Sequence, residues 1–430
     1  MSNDELGDVP LRERVEKGVD ASGNGYLAVA GELLAAAAAA DDVDEAVAQF
    51  GRSRREGDRG VVGQPRRVGT TGRVVRLQFA EPSALREGRA APLSEVLDGV
   101  RALLKGRRSN GADARVVAPN HIFCGEGHYS GGPADVVAPA PEMAQPSQPV
   151  GHGVRVEVLD TGLFQEHPWW DGGGITAQSV EGISEVTDDD LDGALDAQAG
   201  HGTFVAGIVA QQAPAAEIRT QAVLNSYGEG AEHTIAAAIR ESGRAFAADG
   251  SARWLVLNLS LGGYTEGNAP PLDILDALDT LPPEVVVVAA AGNDYPNCGR
   301  PFFPAALKRV LAVGALDEAG TPAGFSNRGP WVDACTLGVG VGSSFFSGFD
   351  GPLRGVPDAD AFAGFARWSG TSFAAPRVAG KVAAVLSGEL PDSAEAEVRH
   401  LLRRHGHASA SVFSPNGGAV TLPDLGLVIP

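Results

Sequence analysis

Residues 285–293 read VVVVAAAGN. Seven apolar residues in a row, closed by glycine and asparagine, form a strand that is apolar on both faces. A strand of that kind sits inside a mostly parallel sheet covered on both sides. Four further runs repeat the pattern: VRVEVL (154–159), IRTQAVL (218–224), WLVLNLSL (254–261) and VLAVGAL (310–316). Helical stretches at 202–211, 231–247 and 271–281 separate them. The alternation predicts an α/β fold with a doubly wound, mostly parallel sheet. Sites in such sheets lie at the carboxyl ends of the strands. The residues just after each run are therefore the ones to read for chemistry.

Residues 369–380 read SGTSFAAPRVAG. Gly370 lets the chain turn sharply into Ser372. A helix starts at Thr371, with the threonine hydroxyl as its cap and Val378, Val382, Val385 and Leu386 at helical spacing. Pro376 falls near the first turn, where a missing N–H costs least. A serine placed there has an unpaired N–H and the positive end of the helix dipole behind it. That N–H is half of an oxyanion hole, and the hydroxyl is a nucleophile once a base reaches it. Among the nine histidines, His201 is the candidate base. It opens a helix in AGHGTFVAG (199–207), and its flanking glycines admit another backbone. His167 precedes a proline in a loop, and His400, His405 and His407 crowd a basic helix end. A base of this type needs a carboxylate to fix its tautomer. Asp160 ends the first apolar run and is followed by Thr161-Gly162, a triplet that alone also fits a turn-forming aspartate.

In chain order these residues are Asp160, His201 and Ser372, the subtilisin order and not that of chymotrypsin or the α/β-hydrolases. The chain resembles the subtilisin-like serine proteases (subtilases) in six segments: VLDTG (158–162), GHGTFVAGIVA (200–210), NLSLGG (258–263), AAAGND (289–294), SNRGP (326–330) and GTSFAAPRVAG (370–380). The resemblance runs from about residue 154 to 404 and implies a subtilisin-like fold there. It implies a serine endopeptidase that works through Asp160, His201, Ser372 and an acyl-enzyme. It implies Asn293 as the second oxyanion donor, which agrees with its place after Gly292 at the end of an apolar strand. It implies that Ser260, Leu261, Gly262 and Gly263 pair with substrate backbone and form one wall of the specificity pocket. Ala291 and Gly292, with Ala290, are then the opposite wall, and Asp294 at the rim tilts preference toward basic or polar side chains. The sedolisins also use a GTS serine, but with Glu and Asp, so His201 argues against them. Two other readings stay open: a binding or regulatory module on a catalytically idle protease fold, and esterase or transpeptidase chemistry on the same residues.

No metal ligand is assigned and no cofactor is expected. By comparison with familiar subtilisins, the calcium loop after the histidine helix is reduced to QQAPAA (211–216). Calcium stays open only at Asp188, Asp190 and Asp192, spaced D-x-D-x-D-G through Gly193. The twelfth position of that loop is Ala199 rather than glutamate, so a solvated acidic loop is the simpler reading. Residues 345–367 are aromatic and glycine-rich and read as a hairpin beside the site.

The net charge is −20, of which −3 falls in residues 1–150 and −17 in the rest. An acidic globule repels nucleic acid and anionic membrane, although charge that only keeps the protein soluble is the simpler reading; a peptide or protein partner is what the resemblance implies. No apolar run is long enough to span a bilayer. Residues 26–40 carry Glu32 and follow an acidic N-terminus, so they read as a soluble Ala-rich helix and not a cleaved signal, and a cytoplasmic location is expected. Cys124, Cys298 and Cys335 are too few and too uneven for a disulfide framework, though one bridge fits. The expected organisation is a helical and flexible region at 1–67, with a helix at 26–50 and a linker at 51–69. A small α/β domain follows at 68–128, then a Pro/Ala-rich linker at 129–150. The catalytic domain covers 151–408, with a second helix at 393–404, and a tail covers 409–430. Residues 68–128 loosely resemble the propeptide that many subtilases carry, which implies self-cleavage within 126–150. A permanent accessory domain is the alternative.

Overall fold

The computed structural model describes residues 10–54, 60–107, 116–125, 137–296, 299–348, 362–388, 421–422 and 427–428. They fall into two compact units: residues 1–123 with 230–239 and 263–280, and residues 124–229 with 240–262 and 281–430.

The larger unit is built on a nine-stranded sheet. Its centre runs, in spatial order, Ala334–Leu337, Val310–Leu316, Val285–Ala290, Trp254–Leu259, Val154–Asp160, Glu217–Ala222 and Ala177–Ser179, all parallel. The five apolar runs are thus neighbours, and the strands 285–290, 310–316 and 154–160 are buried along their whole length. Two short strands, Thr421–Leu422 and Leu427–Val428, extend the edge by antiparallel pairing to Cys335. Helices His201–Gln212 and Thr371–Leu386 share one core with Val156, Val158, Val286, Val288 and Val313. Their backbones approach closely, for a Cβ on Gly380 would lie 2.6 Å from that of Gln212. The aromatic stretch forms the expected hairpin, Val341–Ser347 against Ala363–Trp368, with Ala138–Pro139 as a third strand. Helix 201–212 is followed by a strand beginning at Glu217, so the connection is as short as the sequence implied. The helix expected at 393–404 lies outside the described residues.

The smaller unit corrects the reading of the N-terminal third. Gly25–Ala36 is a strand, not part of a helix; the helix begins only at Ala40 and runs to Ser53. The strand is flanked by Val117–Cys124 on one side and by Val15–Val19 and Val74–Gln78, one after the other, on the other side, all antiparallel. Being buried on both faces, it shows no polar alternation, and local alanine preference for helix is overridden by pairing. Glu32, which the sequence placed on a soluble helix, is 1% exposed. It accepts hydrogen bonds from Arg14 Nη1 at 3.0 Å and Asn120 Nδ2 at 2.7 Å. Gly31, at φ +75, sits where the register with strand 117–124 shifts. The expected linker at 51–69 contains the start of the strand Arg66–Thr71, and the two strands expected at 114–117 and 122–123 are one, Val117–Cys124. The unit therefore begins well before residue 68, and a boundary at 67/68 cuts through a strand. Helices Ala40–Ser53 and Leu93–Arg107 cover the sheet with a core of Val43, Val47, Leu93, Val96, Leu97 and Val100.

Candidate active site

Asp160 is the last residue of its strand, at the carboxyl edge of the parallel sheet. Its Oδ1 accepts the N–H of Thr161 at 2.8 Å and lies 2.7 Å from His201 Nδ1. Both side chains are fully buried. His201 is the first residue of its helix, and its glycine neighbours are required by packing. A Cβ on Gly200, at φ +80, would lie 2.2 Å from the Phe345 ring, and one on Gly202 would lie 2.3 Å from the carbonyl oxygen of Gly162. The imidazole packs against Trp368 and Phe373, with ring centroids 5.6 and 5.4 Å away. Behind the pair lies Glu185, a buried carboxylate that sequence reading did not single out. It accepts hydrogen bonds from the hydroxyls of Thr161 and Thr203 and from the Thr203 N–H. Burial, and secondarily the charge of Asp160, push its carboxyl above the ordinary 4.5, while the threonine hydrogen bonds oppose the rise.

Ser372 is the second residue of helix 371–386. The expected cap is different: Gly370 precedes the helix, and no side chain caps it. Thr371 instead donates both its N–H and its hydroxyl to Asn293 Oδ1, each at 2.9 Å, and its hydroxyl accepts the Gly292 N–H at 3.1 Å. Ser260 and Ser372 are tied reciprocally: Ser260 Oγ donates to the Ser372 carbonyl at 2.7 Å, and Ser372 Oγ lies 3.1 Å from the Ser260 carbonyl oxygen.

The Ser372 hydroxyl also donates, at 2.8 Å, to the carbonyl of the chain's own Gly125. Nothing in composition or spacing marks Gly125. Its neighbour Cys124 exchanges two backbone hydrogen bonds with Gly262, both 2.9 Å, and the Gly125 N–H donates to the Gly228 carbonyl at 2.9 Å. A Cβ on Gly125 would sit 3.6 Å from His201 Cε1. Gly125 thus accepts from Ser372 and stands next to the His201 ring, which Asp160 holds. Of the other residues the resemblance named, Leu261 is fully buried. The Ala291 N–H bonds to the Val313 carbonyl, and the Ala291 carbonyl accepts Asn327 Nδ2 at 3.0 Å. Gly263 belongs to the smaller unit, where a Cβ on it would lie 3.2 Å from the Ile122 carbonyl oxygen.

In the acidic loop, oxygens of Asp188, Asp190 and Asp196 lie within 4.8 Å of one another; Asp192 is not among them. Each of the three already has protein donors. Asp188 accepts the N–H groups of Asp192 and Gly193, Asp190 accepts the Tyr227 hydroxyl, and Asp196 accepts the Asp189 N–H and the Ser226 hydroxyl. Calcium takes six to eight oxygens, so these three carboxylates would hold it only together with backbone or water oxygens. Cys124 and Cys335 are free thiols, and Cys298 lies outside the described residues. Burial pushes the Cys124 thiol far above its ordinary value, which leaves it inert. Among the described residues no helix is long and apolar enough to cross a membrane.

The sequence model of the subtilase family matches residues 151–412, and the chain belongs to that family. It is 34% identical over 245 residues to a thermophilic serine proteinase of Bacillus sp. strain AK1, covering 55% of this chain and 52% of that protein. It is 32% identical over 263 residues to subtilisin Savinase of Lederbergia lenta, covering 59% of this chain and 83% of that protein. The chain spans about half to three-fifths of the length of the first curated relatives it matches, at 52%, 61% and 59%. The fold is also that of fervidolysin from Fervidobacterium pennivorans, a keratinolytic enzyme related to subtilisin. The match has a TM-score of 0.53 and 22% identity, over 83% of this chain and 55% of that structure.

Proposed function

We propose that the protein is a serine endopeptidase in which Ser372 is the nucleophile, His201 the general base and Asp160 the residue that orients it. The observation that carries this reading is the Gly125 carbonyl at 2.8 Å from Ser372 Oγ, on a segment paired antiparallel with Gly262. Main-chain pairing of that type accepts any extended peptide. Ser372 Oγ adds to the peptide carbonyl while His201 takes its proton. Negative charge collects on the carbonyl oxygen, between the Ser372 N–H, which has no partner inside its own helix, and the NH₂ of Asn293. His201 then gives the proton to the leaving amine, and the acyl-enzyme is cleared by water through the same base. Asp160 accepts from Nδ1–H throughout, which stabilises the imidazolium. The test is labelling by a fluorophosphonate, expected on the wild type and absent in Ser372→Ala. A label that survives the substitution, or hydrolysis of esters without any hydrolysis of amides, would overturn the reading.

The same contact supports self-cleavage. The enzyme is expected to cut its own chain to give a new N-terminus between residues 126 and 150, while Ser372→Ala keeps the chain whole. N-terminal sequencing of purified protein decides; a fully active enzyme with an intact N-terminus contradicts it. Maturation of a peptide precursor and general protein turnover are both roles such an enzyme can fill. Sequencing the products of a peptide library separates a narrow from a broad preference.

A further inference from the structure

We propose that Phe302 fills the specificity pocket, so that the residue whose carbonyl Ser372 attacks is limited to glycine or alanine. This rests on the peptidase reading above. Strands 254–259 and 285–290 are parallel neighbours, with Leu259 opposite Ala289. Their continuations, 260–262 and 290–292, both reach the nucleophile: the Ser260 carbonyl oxygen lies 3.1 Å from Ser372 Oγ, and the Gly292 N–H donates to the adjacent Thr371 hydroxyl. A side chain next to the attacked carbonyl has to enter between these two segments.

The Phe302 ring occupies that crevice. A Cβ on Gly262 would lie 2.1 Å from Cε1 of the ring, and a Cβ on Gly292 would lie 3.0 Å from Cδ2. Opposite edges of one ring therefore touch opposite walls; at Gly262 the ring excludes a Cβ, while at Gly292 Asn327 Nδ2, 2.3 Å from such a Cβ, and the φ of +97 exclude it first. The ring is 8% exposed, with Phe303 at 3% and Ala305 at 1% continuing the packed segment. Protein interiors are filled to crystal-like density, so a ring already in the crevice leaves no volume for a second large side chain. The residue that the chain itself presents to Ser372 has no side chain at all: it is Gly125. A preference for basic residues set by Asp294, which is 6% exposed and whose N–H donates to Asn327 Oδ1 at 2.9 Å, is the competing outcome that the Lys substrate tests.

The experiment uses N-acylated tetrapeptide anilides that differ only in the last residue: Gly, Ala, Leu, Phe or Lys. Wild-type kcat/KM for Ala is expected to exceed that for Leu, Phe and Lys by roughly tenfold or more, the scale of steric discrimination in an apolar pocket. Phe302→Gly is expected to raise cleavage after Leu and Phe by roughly tenfold relative to Ala. Phe302→Leu, which keeps the packed segment apolar, is expected to move the ratio part of the way. Wild-type cleavage after Phe or Leu as fast as after Ala, or an unchanged order in both variants, overturns the inference. A protein that labels with a fluorophosphonate at Ser372 but cuts all five alike loses this inference alone. One that neither labels nor cuts loses the peptidase reading with it.

Discussion

Among the described residues two buried histidine–aspartate pairs have nearly the same geometry, one in each unit. His201 Nδ1 lies 2.7 Å from Asp160, and His233 Nδ1 lies 2.7 Å from Asp273. Each histidine stands in the first turn of a helix, and each aspartate is fully buried. The surroundings differ. Asp273 also accepts the Thr71 hydroxyl, its backbone N–H bonds to Glu232, and Glu232 in turn pairs with His121. On the other edge of His233, a Cβ on Gly69 would lie 2.9 Å from Nε2. That pair is enclosed by its own unit. The His201 ring instead looks onto Gly125, whose carbonyl meets a serine at a helix N-terminus. The pair orients an imidazole in both places; what lies across from the ring decides whether there is chemistry to do.

Substitution can sharpen or break that contrast. The largest expected effect is His201→Gln, which lowers peptide turnover by roughly 10⁶-fold, the scale found when a triad of this type is broken. His233→Gln is expected to change kcat by less than about threefold, since it touches nothing at the serine. Equal losses in the two would end the distinction. Next comes Asn293→Ala, expected to cost about 10²- to 10³-fold in kcat with little change in KM. A smaller effect, on stability alone, is expected from Asp273→Asn. It replaces one of the two acceptor oxygens that serve Thr71 and His233 by an NH₂ donor and removes the charge, and should cost about 1–3 kcal/mol in denaturant unfolding. The smallest is a pH effect at Glu185. Its folded value lies above 4.5, so its favourable contribution is complete below that pH and is lost as pH rises through the folded value. Glu185→Gln cannot ionise, and its Tm should fall less steeply than that of the wild type over that range.

The parallel sheet was legible because a strand buried on both faces writes itself as an unbroken apolar run, as at 285–290. Gly25–Ala36 is also buried along nearly its whole length, yet its alanines favour helix when read alone, and only its partners on either side make it a strand. Asp160, His201, Asn293 and Ser372 were legible as candidates because each lies at or just past the end of a strand, or in the first turn of a helix, in a glycine-marked setting. Gly125 and Phe302 were not. Both act by position, one with a bare carbonyl and the other with an ordinary aromatic ring, and neither is set apart by its neighbours in the chain. Thr371 was read as a cap, although its hydroxyl goes to Asn293, a partner 78 positions away that local spacing does not reveal.

The backbone pairing of Cys124 with Gly262 has a kinetic consequence. The segment is tethered, so it faces the cleft at an effective concentration on the order of millimolar, however dilute the protein is. Under the proposed peptidase reading, a peptide at micromolar concentration is outcompeted until that segment leaves. Onset of activity should therefore show a lag whose length is the same at any enzyme dilution, as for a first-order event within one molecule.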